Sequence, residues 1–146
     1  RFVEAMGELS PDGRLLAYVS DEAGEFDTYV RPYPDLDRKW KISTGGGISP
    51  VWSPDGRELF YLDMEGQALM VVAIDTEPEF SAGRPELLLE GSFVPSGLYG
   101  RNYDVSPNGR DFVFVENVIP EDIDTQLQVV LNWFTELEEL APTEAP

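Results

Sequence analysis

Cysteine and histidine are both absent from these 146 residues. Without cysteine there is no disulfide framework and no thiolate metal site. Without histidine the chain lacks the usual general base, the usual zinc ligand and every histidine-based triad. Positive charge is scarce: 10 Lys and Arg stand against 28 Asp and Glu, a formal charge of −18. A field of that sign repels phosphate backbones and anionic lipid, which disfavours nucleic-acid binding and membrane contact by this segment. No apolar run is long enough to cross a bilayer, and no signal-like segment opens the chain. The chain also lacks a protein-kinase signature and a Gly-x-Ser-x-Gly elbow, and Gly45-Gly46-Gly47 is followed by neither Lys-Ser nor Lys-Thr. No cofactor is implied.

Turn residues, by contrast, are plentiful and ordered. Ser10-Pro11-Asp12-Gly13-Arg14 returns as Ser53-Pro54-Asp55-Gly56-Arg57 and again as Ser106-Pro107-Asn108-Gly109-Arg110. Each copy follows an apolar residue (Leu9, Trp52, Val105) and precedes strand-forming residues: Leu16-Ala17-Tyr18-Val19, Leu59-Phe60-Tyr61-Leu62 and Phe112-Val113-Phe114-Val115. Pro presets φ for the first central position of a type I turn, Asp or Asn suits the second, and Gly supplies φ > 0 at the third. Each copy therefore predicts a hairpin joining two antiparallel strands. From Ser10 to Ser53 is 43 residues, and from Ser53 to Ser106 is 53. Spacings near that length, with several short strands per unit, mark propeller blades.

These hairpins, with Trp52 before and Leu59-Phe60-Tyr61-Leu62 after, resemble the WD-type repeats of TolB-like β-propellers. The tail Gln128-Val129-Val130-Leu131-Asn132-Trp133-Phe134 is similar to the closing segment of propellers attached to bacterial serine/threonine protein kinases. The resemblance implies an all-β fold, a partial β-propeller of three consecutive four-stranded antiparallel blades with the last lacking its outer strand. It further implies a non-catalytic protein-interaction or sensing module, in an extracytoplasmic or periplasmic setting. Two alternatives stand beside it: part of a propeller hydrolase or lyase with an axial metal site, or the regulatory propeller of a kinase or peptidase. A closed ring has about four to eight blades, so three repeats are about half of one. The opening Arg1 and the early first strand read as the C-terminal piece of a longer polypeptide. The expected partners are a protein, and either the remainder of the propeller or a second copy.

The partial propeller is expected over 1–140, with blade one at about 1–47, blade two at about 48–91 and blade three at about 92–140. A disordered tail follows at 141–146. Strands are expected at Phe2–Leu9, Arg14–Ser20, Thr28–Arg31 and Trp40–Ser43 in blade one. Blade two should hold Ile48–Trp52, Glu58–Asp63, Leu69–Ile74 and Glu86–Leu89, with Glu79–Arg84 as a connector. Blade three should hold Tyr103–Val105, Asp111–Glu116 and Leu127–Phe134, with a short helix at Thr135–Leu140.

The turn residues Pro11, Asp12, Gly13, Pro54, Asp55, Gly56, Pro107, Asn108 and Gly109 are read as structural, because Asp and Asn bond to nearby backbone N–H groups. Trp40, Trp52 and Trp133 are read as core between blades. The loop from Phe93 to Tyr103 differs, gathering aromatics among glycines with a cation beside them. Loops on a rigid scaffold concentrate recognition residues, so Phe93, Leu98, Tyr99 and Arg101 are the candidate partner-binding residues. Glu121, Asp122 and Asp124 could offer oxygen ligands to calcium, but lack EF-hand spacing, so no metal site is assigned. An axial metal site would need convergent acids on the inner strands, where Glu8, Val51 and Asp104 are not a consistent set.

Overall fold

The computed structural model describes residues 1–94 and 100–115. The expectations for Leu98 and Tyr99, for the acids at 121–124, for Trp133 and its strand, and for the short helix and the tail fall outside those residues.

Every regular element among the described residues is a strand. The first sheet runs in chain order through β1 (Glu4–Leu9), β2 (Leu15–Ser20), β3 (Asp27–Pro32) and β4 (Trp40–Lys41), all antiparallel. The second starts the same way, with β5 (Ile48–Trp52), β6 (Glu58–Leu62) and β7 (Ala68–Asp75). Two short strands then share the outer edge of β7, β8 (Ser81–Ala82) against Ile74 and Asp75, and β9 (Glu86–Glu90) against Ala68 to Val71. The third sheet is the pair β10 (Tyr103–Val105) and β11 (Phe112–Phe114).

The stretch from Glu79 to Arg84 is thus more than a connector. β7 is eight residues long, and β9 covers only its first half. The remaining backbone groups need partners, which β8 supplies, together with the Gly83 N–H donating to the Ala73 carbonyl at 2.8 Å.

The core follows from the period-2 alternation of strand side chains. On β6, Leu59 and Tyr61 point to the first sheet, where they join Leu15, Ala17, Val30, Ile42 and Trp52. Phe60 and Leu62 point the other way and join Val51, Leu69, Phe93 and Tyr103, with Phe112 and Phe114 packed alongside. The second sheet is therefore covered on both faces. Each fully buried side chain of this kind contributes about 1.5–3 kcal/mol. Trp52 lies between the first two sheets, its indole N–H donating to the Glu8 carbonyl at 3.2 Å.

The three hairpin turns are near copies. The Ser10 hydroxyl donates to Asp12 Oδ1 at 2.6 Å, the Arg14 N–H donates to the same oxygen at 3.1 Å, and the Leu15 N–H donates to Ser10 Oγ at 2.9 Å. Ser53, Asp55, Arg57 and Glu58 repeat the pattern, as do Ser106, Asn108, Arg110 and Asp111. Gly13, Gly56 and Gly109 sit at φ of 71°, 72° and 70°. The turns also nest: a Cβ at Gly56 would lie 3.5 Å from Pro11, and one at Gly109 would lie 3.7 Å from Pro54.

Candidate functional site

The inner strands β1 and β5 each break register, between Ala5 and Glu8 and between Ile48 and Val51. At those breaks Met6 and Ser49 have φ of 54° and 56°, one repeat apart. Non-glycine residues in that region cost on the order of 1–3 kcal/mol each and persist where surrounding structure imposes them. Here the Ser49 N–H faces the Met6 thioether sulfur at 3.3 Å. The Tyr103 hydroxyl also donates to the Ser49 carbonyl at 2.7 Å, fixing the second bulge to the third sheet. Burial pushes the Tyr103 phenol well above its ordinary range, so the hydroxyl stays a donor.

The bulges open a cleft of about 700 Å³ lined by Met6, Gly7, Glu8, Ser49, Pro50, Gly100 and Arg101. Arg101 is its cation. Its Nη1 meets Glu8 Oε2 at 2.5 Å and its Nη2 meets Asp104 Oδ2 at 3.3 Å. Burial opposes the charge, but the hydrogen bond and charge of Glu8 more than offset it, holding the guanidinium above its ordinary value. The side chain remains more than a third exposed. Guanidinium carries five N–H donors in a planar fork, so donors remain for an incoming carboxylate or carbonyl.

The inner-strand acids Glu8 and Asp104 thus converge on a guanidinium. Among the described residues, no group of three or more Asp or Glu is arranged to hold a metal. A second groove of about 1080 Å³ runs between the first two hairpin turns, bordered by Asp12, Asp55, Arg57, Asp75 and Glu77 over Leu15, Ala73 and Ile74.

The candidate residues separate. Arg101 lies in the cleft. Phe93 is buried, stacked on Phe114 with ring centroids 4.4 Å apart, so its ring seats the third sheet on the second, because an aromatic of that size gains most from burial. The turn residues hold the hairpins as described above. Met6, Ser49 and Pro50 were not singled out in the sequence. Their signal was available in the 43-residue offset between Met6 and Ser49, but nothing in those residue types announces a positive φ.

No family model matches the chain. Over 66 residues it is 38% identical to dipeptidyl aminopeptidase BI of Pseudoxanthomonas mexicana, covering 43% of this chain and 9% of that enzyme. Over 53 residues it is 43% identical to the Tol-Pal system protein TolB of Alcanivorax borkumensis, covering 34% of this chain and 12% of that protein. Among solved structures, TolB from Acinetobacter baumannii superposes with a TM-score of 0.50 at 17% identity, over 77% of this chain and 26% of that one. A protein of Agrobacterium tumefaciens assigned as TolB gives 0.52 at 19% identity, over 75% of this chain and 42% of that one. The matched stretches span between 9% and 42% of the lengths of these proteins. With its hairpin repeats and stacked antiparallel sheets, the chain is a partial β-propeller whose fold is like that of TolB.

Proposed function

We propose that this chain belongs to a non-catalytic protein-interaction module that uses the axial cleft around Arg101 as a contact point. The observation that carries the reading is the guanidinium itself. It is held at the cleft mouth by Glu8 and Asp104 from two different sheets, between two backbone bulges. A guanidinium fixed by a carboxylate on each side is pre-organised, and charge-assisted bonds from such a fork are stronger than neutral ones. The matching partner is an extended peptide segment presenting a carboxylate or backbone carbonyls. Propellers serve many roles on one scaffold, so the site carries the argument and the fold alone does not.

Selection of displayed peptides on the immobilised chain, followed by fluorescence anisotropy with synthetic peptides, tests the reading. Arg101→Ala should weaken selected peptides by about tenfold or more, the loss expected for a charged hydrogen bond. Arg57→Ala, in the hairpin-turn groove, should leave them unchanged. Peptides indifferent to Arg101→Ala would overturn the assignment. The local likeness to dipeptidyl aminopeptidase BI supports a second reading, a propeller that serves a peptidase. Release of dipeptides from the selected peptides by the chain alone would overturn the non-catalytic reading.

A further inference from the structure

The chain has three methionines, Met6, Met64 and Met70, and Met6 alone has a backbone N–H held against its sulfur. The two bulges create that contact. Neither Met6 nor Gly7 has a partner on β2, and neither Ser49 nor Pro50 has one on β6. Ser49 is 1% exposed, so its N–H, left without a partner on β6, has no access to solvent. A buried N–H without an acceptor is costly, and the Met6 thioether supplies one at 3.3 Å. The Ser49 hydroxyl lies further from the same sulfur, at 3.9 Å. Met64, by contrast, is exposed at a turn, and Met70 packs against the core between the first two sheets.

A thioether sulfur carries two lone pairs, and oxidation to the sulfoxide adds one oxygen to one of them, giving one of two epimers. At Met6 the two lone pairs are not equivalent. One faces the Ser49 N–H, and 3.3 Å between sulfur and nitrogen leaves no room for an oxygen between them. The other is turned away from that contact. Met6 is half-buried and lines the cleft of about 700 Å³, so a small oxidant reaches the sulfur from solvent. Exchanging the two lone pairs would require the side chain to turn about its terminal bonds and release the Ser49 N–H inside the protein, at the cost of an unpaired buried donor.

We infer that Met6 is an oxidation site that forms a single sulfoxide epimer, through attack of its free lone pair on hydrogen peroxide. The sulfur attacks one peroxide oxygen, and the O–O bond breaks as the S–O bond forms. The hydroxide that leaves takes the hydrogen from the transferred oxygen and departs as water. Sulfur is thereby oxidised by two electrons and the peroxide reduced by two. The product keeps the Ser49 N–H on its blocked side and sets a polar acceptor in the cleft whose cation is Arg101. This inference does not depend on peptide binding at Arg101.

Dilute hydrogen peroxide on the full 146-residue chain tests it, sampled at low conversion so that each event falls on a folded chain. The modified chain is digested, its peptides are divided between the two epimer-specific methionine sulfoxide reductases, and each methionine is followed by tandem mass spectrometry. The Met6 sulfoxide should be removed by one reductase and left by the other. The sulfoxide of the exposed Met64 should be removed in comparable part by each. The same oxidation in urea should erase the bias at Met6, because the Ser49 N–H then no longer blocks a lone pair. Met6 remaining a thioether while Met64 and Met70 are both oxidised would overturn the inference. So would a Met6 sulfoxide divided between the two reductases as that of Met64 is, or a bias that persists in urea.

Discussion

Asp12, Asp55 and Asn108 do the same work with different protonation chemistry. Their Oδ1 atoms accept from a serine hydroxyl and from the backbone N–H two residues on. The serine hydroxyl, and then that N–H, hold the Asp12 and Asp55 carboxyls below the usual carboxylate range. A folded pKa below the unfolded value means the stabilisation is present above the unfolded value of about 3.9 and fades as pH falls through the folded one. Asn108 shows that an amide oxygen serves equally and does not titrate. The Asp12→Asn, Asp55→Asn double variant should therefore match the parent's melting temperature at neutral pH. Thermal melts should show it losing less stability than the parent between about pH 5 and pH 2; an identical acid limb would rule the turns out as acid-sensitive elements. Gly56 is the harder constraint. Its φ of 72° forces any β-branched side chain into the left-handed region, so Gly56→Val should cost on the order of 1–2 kcal/mol or more. Urea unfolding monitored by tryptophan fluorescence measures this, and an unshifted midpoint would contradict the turn geometry.

Strands of one pattern acquire different energetic weight from what lies against them. Trp52 and Leu9 hold the same place before their hairpins, and both pair with a leucine of the next strand. Trp52 is enclosed by the first sheet and gives its N–H to Glu8, while Leu9 faces outward. Trp52→Ala should cost roughly 3–5 kcal/mol, the range for deleting a buried large aromatic. Leu9→Ala should stay within about 0.5 kcal/mol, as surface substitutions do, when denaturant unfolding is measured dilute enough to exclude association. Equal costs would mean that Leu9 is already covered. The division of the β7 edge between β8 and β9 makes the same point. Glu79 to Arg84 carries only Phe80 and Ala82 as alternating apolar residues, too short a run to mark a strand, and its pairing depends on how much of β7 is left unmatched.

At the scale of the whole molecule, charge and shape oppose each other. Two copies each carrying −18 repel, while the exposed valines and leucines favour contact. Screening at physiological salt acts beyond about 8 Å and leaves close apolar contact intact. Any self-association should therefore strengthen as sodium chloride rises from low to physiological concentration, measured by sedimentation equilibrium. Weakening with salt would mean that attractive ion pairs outweigh the repulsion between the like net charges.

The hairpins, the strand order of the first sheet and the paired cores could be read from the sequence because they rest on local rules. Pro-Asp-Gly fixes a turn within a few residues, and alternating apolar residues fix which face is buried. The repeat then multiplied a weak local signal three times and pointed to the propeller. Tertiary structure alone decided the rest. Phe93 sits in a loop rich in glycine and is nevertheless core, because Phe114, 21 residues later in the chain, stacks on it. Arg101 owes its position to Glu8, from the first strand, and no periodicity reports a pairing across that distance. The positive φ of Met6 and Ser49 lies at the register breaks of two strands from different sheets, which meet through the Ser49 N–H and the Met6 sulfur only once the sheets are packed together.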